Sequence, residues 1–209
     1  MRKAAKTIHL LYCFLVGSAL GRIMYAKEYF PKGKCFSHWN SEGWAWVLAD
    51  FHGRLFYHRN AGVPWPVSPL AKIGKNIEFD TDDLAVFQGA GCYFQTWYGK
   101  IHLGKGTQIA QNVGLITSNH DLDDPSKTGK VADIYIGDHC WIGMNSVILP
   151  GVQLGDHTVV GAGSVVTKSF PEGFCVGAGN PAKMIRKLSQ TVSPHSEHSQ
   201  FVELGQVIG

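Results

Sequence analysis

Aliphatic residues recur at every sixth position in the second half of the chain, and a glycine follows most of them. A smaller residue stands four positions after each aliphatic one. Six is not a multiple of the 3.6-residue helical period, but it is even, so in extended chain both kinds of residue point to one side. The same period recurs upstream at Leu103, Ile109 and Leu115, and more weakly at Ile73. The regular series is Ile136, Ile142, Ile148, Leu154, Val160 and Val166.

This period predicts short strands joined by sharp turns that favour glycine, with three strands closing a coil of roughly 18 residues. Stacked coils would pair their strands in parallel, about 4.8 Å apart. Glycine supplies 25 of the 209 residues, well above the typical share of roughly 7%, which agrees with a turn that repeats. A sandwich of short strands would not keep a six-residue register throughout residues 136–166.

The repeats resemble those of the hexapeptide-repeat acyltransferases. The similarity covers about residues 73–188 and is densest in IGDHCWIGMNSVILPGVQLGDHTVVGAGSVVTKSFP and GNPAKMIRK, between Ile136 and Lys187. It is greatest to the maltose, galactoside and polysaccharide O-acetyltransferase branch. The resemblance implies that the coils are left-handed. The predicted fold is therefore all-β, a left-handed parallel β-helix of about five coils with one protruding loop, an N-terminal helix and a short C-terminal helix. It also implies a homotrimer whose active sites lie between subunits.

The chain divides into four predicted parts. They are an apolar N-terminal helix in 1–26, an aromatic-rich cap in 27–70, the repeat domain in 71–188 with its loop in 119–134, and a polar tail in 189–209 that we expect to fray. The aromatic residues of the second part could form the core of a cap, a platform for a sugar or a membrane-interface belt, and we favour the cap. They are Trp39, Trp44, Trp46, Phe51, Phe56, Tyr57 and Trp65.

The six-residue register breaks between Leu115 and Ile136, which predicts a loop of about fifteen residues. His120 stands where the loop leaves the coil. Transfer of an acyl group to a hydroxyl needs a base of near-neutral pKa, which histidine provides. The resemblance assigns this position to the catalytic histidine, and it places Gln95, Asn119 and Asp121 near the acceptor. The sequence leaves open whether Asp121, Asp123 or a backbone carbonyl orients the imidazole.

The resemblance also implies coenzyme A as the carrier of the acyl group, with acetyl-CoA as the donor. Family members hold the pantetheine arm in the groove between subunits, through the C-terminal coils. Cationic side chains there suit the phosphates of the cofactor. The positions carried over to this chain are Trp141, Ala162, Thr167, Lys168, Lys183 and Arg186.

Charge and cysteine content exclude some other classes. The net charge is +3, without long basic runs, so we expect no nucleic-acid partner. Five cysteines at unrelated spacings predict reduced thiols and a cytoplasmic location. His139 and His157 are spaced to stack on one outer face, and a solvated ladder is favoured over a metal pair. The β-helical carbonic anhydrases would need two histidines five apart after a third, which is not found near His120, so we expect no metal.

Residues 8–21 are mostly apolar and lie between Lys6 and Arg22. About fourteen helical residues rise only some 21 Å, which is short of the roughly 30 Å hydrocarbon core. We therefore expect an uncleaved helix that lies on the inner membrane face, or else packs on a partner subunit. The predicted function is an acetyl-CoA-dependent O-acetyltransferase acting on a sugar or polysaccharide precursor, and the alternative is a non-enzymatic membrane-associated scaffold.

Overall fold

The computed structural model describes residues 2–190. The chain opens with two α-helices, α1 (Arg2–Met24) and α2 (Gly43–Tyr57). A short 3-10 segment at Lys34–Phe36 lies between the two helices, and a second one at Thr81–Phe87 comes after the second strand of the chain. The predicted tail lies outside the described residues, apart from its first two positions. The remaining regular structure consists of short strands.

Sixteen strands occur in the described part of the chain. In chain order they are β1 (Lys72–Ile73), β2 (Ile77–Glu78), β3 (Tyr93–Gln95), β4 (Ile101–Leu103), β5 (Gln108–Ile109), β6 (Gly114–Ile116), β7 (Ser118–His120), β8 (Thr128–Val131), β9 (Ile134–Ile136), β10 (Trp141–Ile142), β11 (Val147–Ile148), β12 (Gln153–Leu154), β13 (Thr158–Val160), β14 (Val165–Val166), β15 (Cys175–Gly179) and β16 (Ala182–Lys187).

Fourteen of these strands form three sheets that the chain visits in a fixed rotation. The first sheet has the order β1-β3-β6-β11-β14, the second β12-β9-β4-β2, and the third β16-β15-β13-β10-β5. All neighbours are parallel except β15 and β16. The strands therefore stack as the hexapeptide period predicts, and from β3 to β14 each turn of the chain takes one strand from each sheet. The 3-10 segment Thr81–Phe87 stands in place of a third-sheet strand in the first turn, and after β14 only Phe170 joins the second sheet, through a single bridge to Leu154.

The aliphatic and the small residues of the repeat both point into the interior, which confirms the prediction that they lie on one side of the extended chain. Ile142 and Ile148 are fully buried, and so are the small residues Cys140, Ser146 and Ser164. The buried hydroxyls bond to backbone carbonyls, as Ser146 does to Gly161 at 3.0 Å. Burial raises the pKa of the Cys140 thiol to about 11, so this cysteine is a packing residue. All five cysteines are free thiols.

The glycine of the repeat has a different purpose from the one we predicted. Gly137 does not have a positive φ, but a Cβ there would stand 2.7 Å from the backbone nitrogen of Asp156 in the next turn of the stack. The left-handed position lies two residues later, where His139, Asn145 and His157 have φ values between 53° and 61°. Close approach of stacked turns therefore selects the glycine, and the corner itself accepts Asn, His or Gly.

The predicted C-terminal helix is wrong for the described residues. The chain reverses at Gly179, whose φ is 103°, and Ala182–Lys187 returns as β16, antiparallel to β15. The edge of β15 offers unpaired backbone groups, and pairing with a strand satisfies them. A single exposed helical turn would have left that edge open.

The N-terminal helix is longer than the apolar segment from which we predicted it. At 23 residues α1 rises about 34 Å, so its length and composition are sufficient to cross a membrane. One of its faces nevertheless packs on the protein: Gly17 lies against the backbone of Trp44, and Met24 and Leu55 line the same hollow. The two helices therefore lie side by side and run in the same direction.

Aromatic rings join the helices to the end of the strand stack. Trp44 contacts Phe14 edge-on at 5.1 Å, and Trp65 is fully buried against Phe79 and Phe87. Part of the aromatic segment thus packs as the predicted cap core. Trp39, Phe56 and Tyr57 are instead exposed.

A buried carboxylate fixes α2 to the segment after α1. Asp50 accepts hydrogen bonds from the Tyr25 hydroxyl at 2.7 Å and from Arg54 at 3.0 Å. Burial raises the pKa of Asp50, and the Arg54 guanidinium opposes that effect.

Candidate active site

The turns between the first and second sheets form the most irregular border of the stack, which we call the insertion edge. It comprises residues 96–100, 117–133, 149–152 and 167–169. Because β3, β6, β11 and β14 are neighbours in the first sheet, these four turns follow one another along the stack. Two of them are longer than the six-residue repeat allows. They bring polar and aromatic side chains to one border.

The largest insertion, where we predicted a loop of about fifteen residues, is an antiparallel hairpin of β7 and β8. Ser118 pairs with Val131, and His120 pairs with Thr128. His120 is the last residue of β7 and is exposed, as is Asn119. Within residues 2–190 the imidazole has neither a hydrogen bond nor an ion pair, so it is available to a ligand.

Gln95 holds the root of this hairpin from inside the protein. Its Oε1 accepts hydrogen bonds from the backbone nitrogens of Thr117 at 3.0 Å and Ser118 at 2.9 Å, and its Nε2 donates to the Ser118 carbonyl at 3.2 Å. Gln95 is only 7% exposed. The side chain that the resemblance placed near the acceptor therefore fixes the backbone two residues before His120.

Asp121 shapes the tip of the hairpin. Its Oδ1 accepts from the backbone nitrogens of Asp123 at 2.9 Å and Asp124 at 3.0 Å. Such side-chain to backbone bonds define an Asx turn. Asp124 repeats the pattern with Ser126 and pairs with Lys127 at 3.0 Å. One oxygen of Asp121 is thus used for local structure.

A second insertion on the same edge carries two exposed aromatic residues that we did not predict as site residues. Trp97 and Tyr98 are 63% and 64% exposed. Gly99 lies against Thr117 and Ala132, and the backbone nitrogen of Lys100 donates to the Asp133 carboxylate at 2.7 Å. This turn is therefore tied to both ends of the hairpin. The signal was in the sequence, because Phe94 and Leu103 are nine residues apart and not six.

The six predicted donor-site residues fall into two groups within one chain. Thr167 and Lys168 lie on the insertion edge, two strands from the hairpin along the first sheet, or roughly 10 Å at 4.8 Å per strand. The other four lie on the third sheet or on its turn towards the first sheet; they are Trp141, Ala162, Lys183 and Arg186.

The cationic members of this set are free to bind an anion. Lys168, Lys183 and Arg186 are exposed, and within the described residues none of them forms an ion pair. Arg186 and Lys183 lie on the same strand, β16, opposite Val176 and Ala178. Exposed cations without a carboxylate partner fit the phosphates of a nucleotide cofactor.

The two repeat histidines stack as expected. The rings of His139 and His157 are 5.2 Å apart, and His157 also contacts Phe174. Burial lowers the pKa of His157, and the neighbouring His139 lowers it further. Among residues 2–190 there is no group of three His, Cys, Asp or Glu side chains that could hold a metal.

Comparisons with known proteins agree with this architecture. Residues 133–168 match the family described as bacterial transferase hexapeptide (six repeats). A Schizosaccharomyces pombe protein named "Putative acetyltransferase" is 33% identical over 144 residues, which are 67% of each chain. This chain belongs to the hexapeptide-repeat acetyltransferases. The galactoside O-acetyltransferase of Lactococcus lactis is 29% identical over 153 residues, 66% of this chain and 73% of its own.

A solved structure extends the family match to three dimensions. A galactoside acetyltransferase in complex with coenzyme A superposes with a TM-score of 0.52 and 32% identity, over 60% of this chain and 62% of its own. The matched region covers between 47% and 67% of three curated acetyltransferase relatives. The family match at residues 133–168 lies within the strand stack, and in this hexapeptide-repeat acetyltransferase the stack carries the insertion edge.

Proposed function

We propose that this protein transfers an acetyl group from acetyl-CoA to a hydroxyl of a sugar or polysaccharide precursor. The observation that carries the proposal is the exposed His120, at the end of a hairpin strand whose root is fixed by the buried Gln95. A base held by rigid backbone on a polar border is what hydroxyl acylation requires. The family, with members named as galactoside and polysialic acid O-acetyltransferases, supports the same chemistry.

In the proposed reaction the His120 imidazole accepts the proton of the acceptor hydroxyl. The resulting oxygen attacks the thioester carbonyl, the carbon–sulfur bond breaks, and the proton passes from the imidazole to the departing thiolate. The products are the acetyl ester and free coenzyme A. Direct transfer of this kind needs both substrates at the insertion edge together. Exposed Lys168, Lys183 and Arg186 would bind the phosphates of the donor.

We further propose a homotrimer with its active sites between subunits. Its support is the division of the donor-site residues between the insertion edge and the third sheet of one chain. A second copy that places its third sheet beside the insertion edge of the first would unite Lys168 with Lys183 and Arg186. The proposed stack is a left-handed β-helix of about five coils, as is typical of the family, and its reaction belongs in the cytoplasm, where acetyl-CoA is made.

Trp97 and Tyr98 support a carbohydrate acceptor. Exposed aromatic faces pack against the apolar faces of sugar rings, and both side chains lie on the edge that carries His120. Lys72 lies 5.6 Å from the Trp97 ring and 5.4 Å from that of Tyr93, which adds a cation beside this surface.

The direct test is release of free thiol from acetyl-CoA in the presence of a panel of sugars and oligosaccharides. Acceptor-dependent release, with a mass increase of one acetyl group on the acceptor, supports the proposal. Thiol release that is independent of every acceptor contradicts transfer to a hydroxyl, and no release at all from the folded protein favours the scaffold alternative.

A further inference from the structure

Helix α1 has a second apolar face that nothing in the described structure covers. Its packed face consists of Cys13, Gly17 and Gly21, which recur every four residues and are buried. The opposite side of the same helix is exposed and apolar. Its residues follow the i, i+3, i+4, i+7 spacing of a single helical face, and we call them the outer stripe: Ile8, Leu11, Tyr12, Leu15 and Ile23.

The exposed fractions of these side chains are large: 68% for Ile8, 57% for Leu15 and 84% for Ile23. The helix also extends beyond α2, because Phe14 and Gly17 contact Trp44 near the start of α2. Lys3 through His9 are all exposed. A stripe of this kind is much larger than the single exposed apolar residues of an ordinary protein surface.

The charges of α1 indicate what covers the stripe. Lys3 and Lys6 precede Ile8, Arg22 stands beside Ile23, and the helix contains no acidic residue. Pairing of two such stripes from two copies of the chain would bring like charges together. An anionic lipid surface instead offers hydrocarbon for the stripe and headgroups for the three cations.

Exposed apolar side chains also occur at the end of α2. Leu55, Phe56 and Tyr57 are 54%, 66% and 70% exposed, and Leu55 lines a hollow with Met24 of α1. The tyrosine, an aromatic ring with a polar tip, suits the boundary between water and lipid.

We propose that the outer stripe docks on a membrane surface that carries anionic lipid headgroups. Because the opposite face of α1 packs on α2, the helix lies along the surface and does not cross it. The inference rests on α1 and on the exposed end of α2, and it does not depend on the acetyl-transfer activity.

Flotation of the full chain with vesicles of phosphatidylcholine, with and without phosphatidylglycerol, tests the proposal. We expect at least tenfold stronger binding to the anionic vesicles, and weaker binding as salt is raised. Leu15→Glu should lower binding at least tenfold, because it places a charge in the stripe. The matched control Leu70→Glu changes a leucine that is 65% exposed and lies just before β1, away from α1, and it should leave binding within twofold.

Two results would overturn the proposal. One is a vesicle assay in which the anionic lipid makes no difference to binding, or in which Leu15→Glu binds as well as the parent chain. The other is a fall in molar mass of the Leu15→Glu protein in solution, without vesicle binding by the parent chain, which would assign the stripe to a second copy. Melting curves of both variants establish that they remain folded, and thiol release in solution reports the activity separately.

Discussion

The regular turns between Ile134 and Phe170 and the two insertions between Gln95 and Ile134 are built on the same three sheets, yet they differ in what their sequences specify. In the regular region every inward position is aliphatic or small, and each turn repeats the last. At the insertion edge the repeat is interrupted twice, by nine-residue spacing at Trp97 and by the β7–β8 hairpin. The comparison teaches that the repeat supplies a rigid frame, whereas the interruptions supply the exposed polar and aromatic side chains on which the proposed chemistry depends.

Removal of the imidazole is the most severe test of this division. His120→Ala should lower turnover by a factor of 10² or more, since the acceptor hydroxyl loses its base. The control His139→Asn changes an exposed histidine of the regular region and keeps a residue that tolerates its φ of 53°; its turnover should stay within twofold. Near-normal activity of His120→Ala in a steady-state thiol assay would remove the base from the mechanism.

The regular region should instead respond through stability. Gly137→Ala places a methyl group against the backbone of Asp156 and should lower the free energy of unfolding by about 3 kcal/mol. Gly163→Ala, where a Cβ meets nothing within 4 Å but φ is 70°, should cost about 1 kcal/mol. Denaturant titration of both variants measures the difference. Equal losses would mean that turn conformation, and not close stacking, selects the glycine.

Gln95 connects the two regions. Gln95→Ala leaves the backbone nitrogens of Thr117 and Ser118 without an acceptor, which should cost about 2 kcal/mol of stability. Turnover should fall about tenfold while the KM for acetyl-CoA stays unchanged, because His120 is displaced and the donor site is not.

The exposed Gln153→Ala on β12 serves as the control for Gln95 and should change neither quantity. A rise in acceptor KM alone, with turnover and stability intact, would instead make Gln95 a substrate ligand.

Charge reversal tests the donor site with a smaller effect. Lys168→Glu or Arg186→Glu should raise the KM for acetyl-CoA about fivefold or more, since an anion then faces the phosphates. The acceptor KM should stay nearly constant in both variants. In the control Lys75→Glu, which changes an exposed lysine elsewhere, both KM values should stay nearly constant. If only the acceptor KM changes, the cofactor lies elsewhere.

The smallest expected effect concerns pH in the regular region. The pKa of His157 is lowered in the folded protein, so folding favours the neutral ring. The contribution is complete above the unfolded pKa of about 6.5 and is lost as the pH falls below it. His157→Asn should therefore show a smaller loss of unfolding free energy between pH 7.5 and pH 5 than the parent. Identical slopes would mean that His157 does not contribute.

The sequence predicted the strand stack because each turn of the repeat applies the same rule at a fixed interval. His120 was found for the opposite reason, as the residue where that interval ends. The hairpin was predicted only as a loop, since its pairing joins Ser118 to Val131 and has no period. Gln95 was assigned to the acceptor because the resemblance gave the position of the residue in the chain. It did not give the direction of the side chain, whose burial appears only in the structure.

The features that the sequence did not predict depend on residues that are distant along the chain. Ala182–Lys187 has no alternating pattern that identifies a strand, and its conformation is set by the free edge of β15. Trp97 and Tyr98 were overlooked because irregular spacing there was treated as poor register. The grouping of the donor residues followed only from the order of the sheets.

Strand β16 also decides where the stack stops growing. A parallel solenoid ends on open strand edges, and another copy of the same turn could add to them without limit, as in a fibril. In the third sheet the final strand runs antiparallel, so the hydrogen-bonding pattern it offers no longer matches that of a further parallel turn. Its outward edge carries Lys183, Arg186 and Lys187, whose charges repel an identical edge. The reversal at Gly179 therefore opposes end-to-end aggregation of the protein through the third sheet.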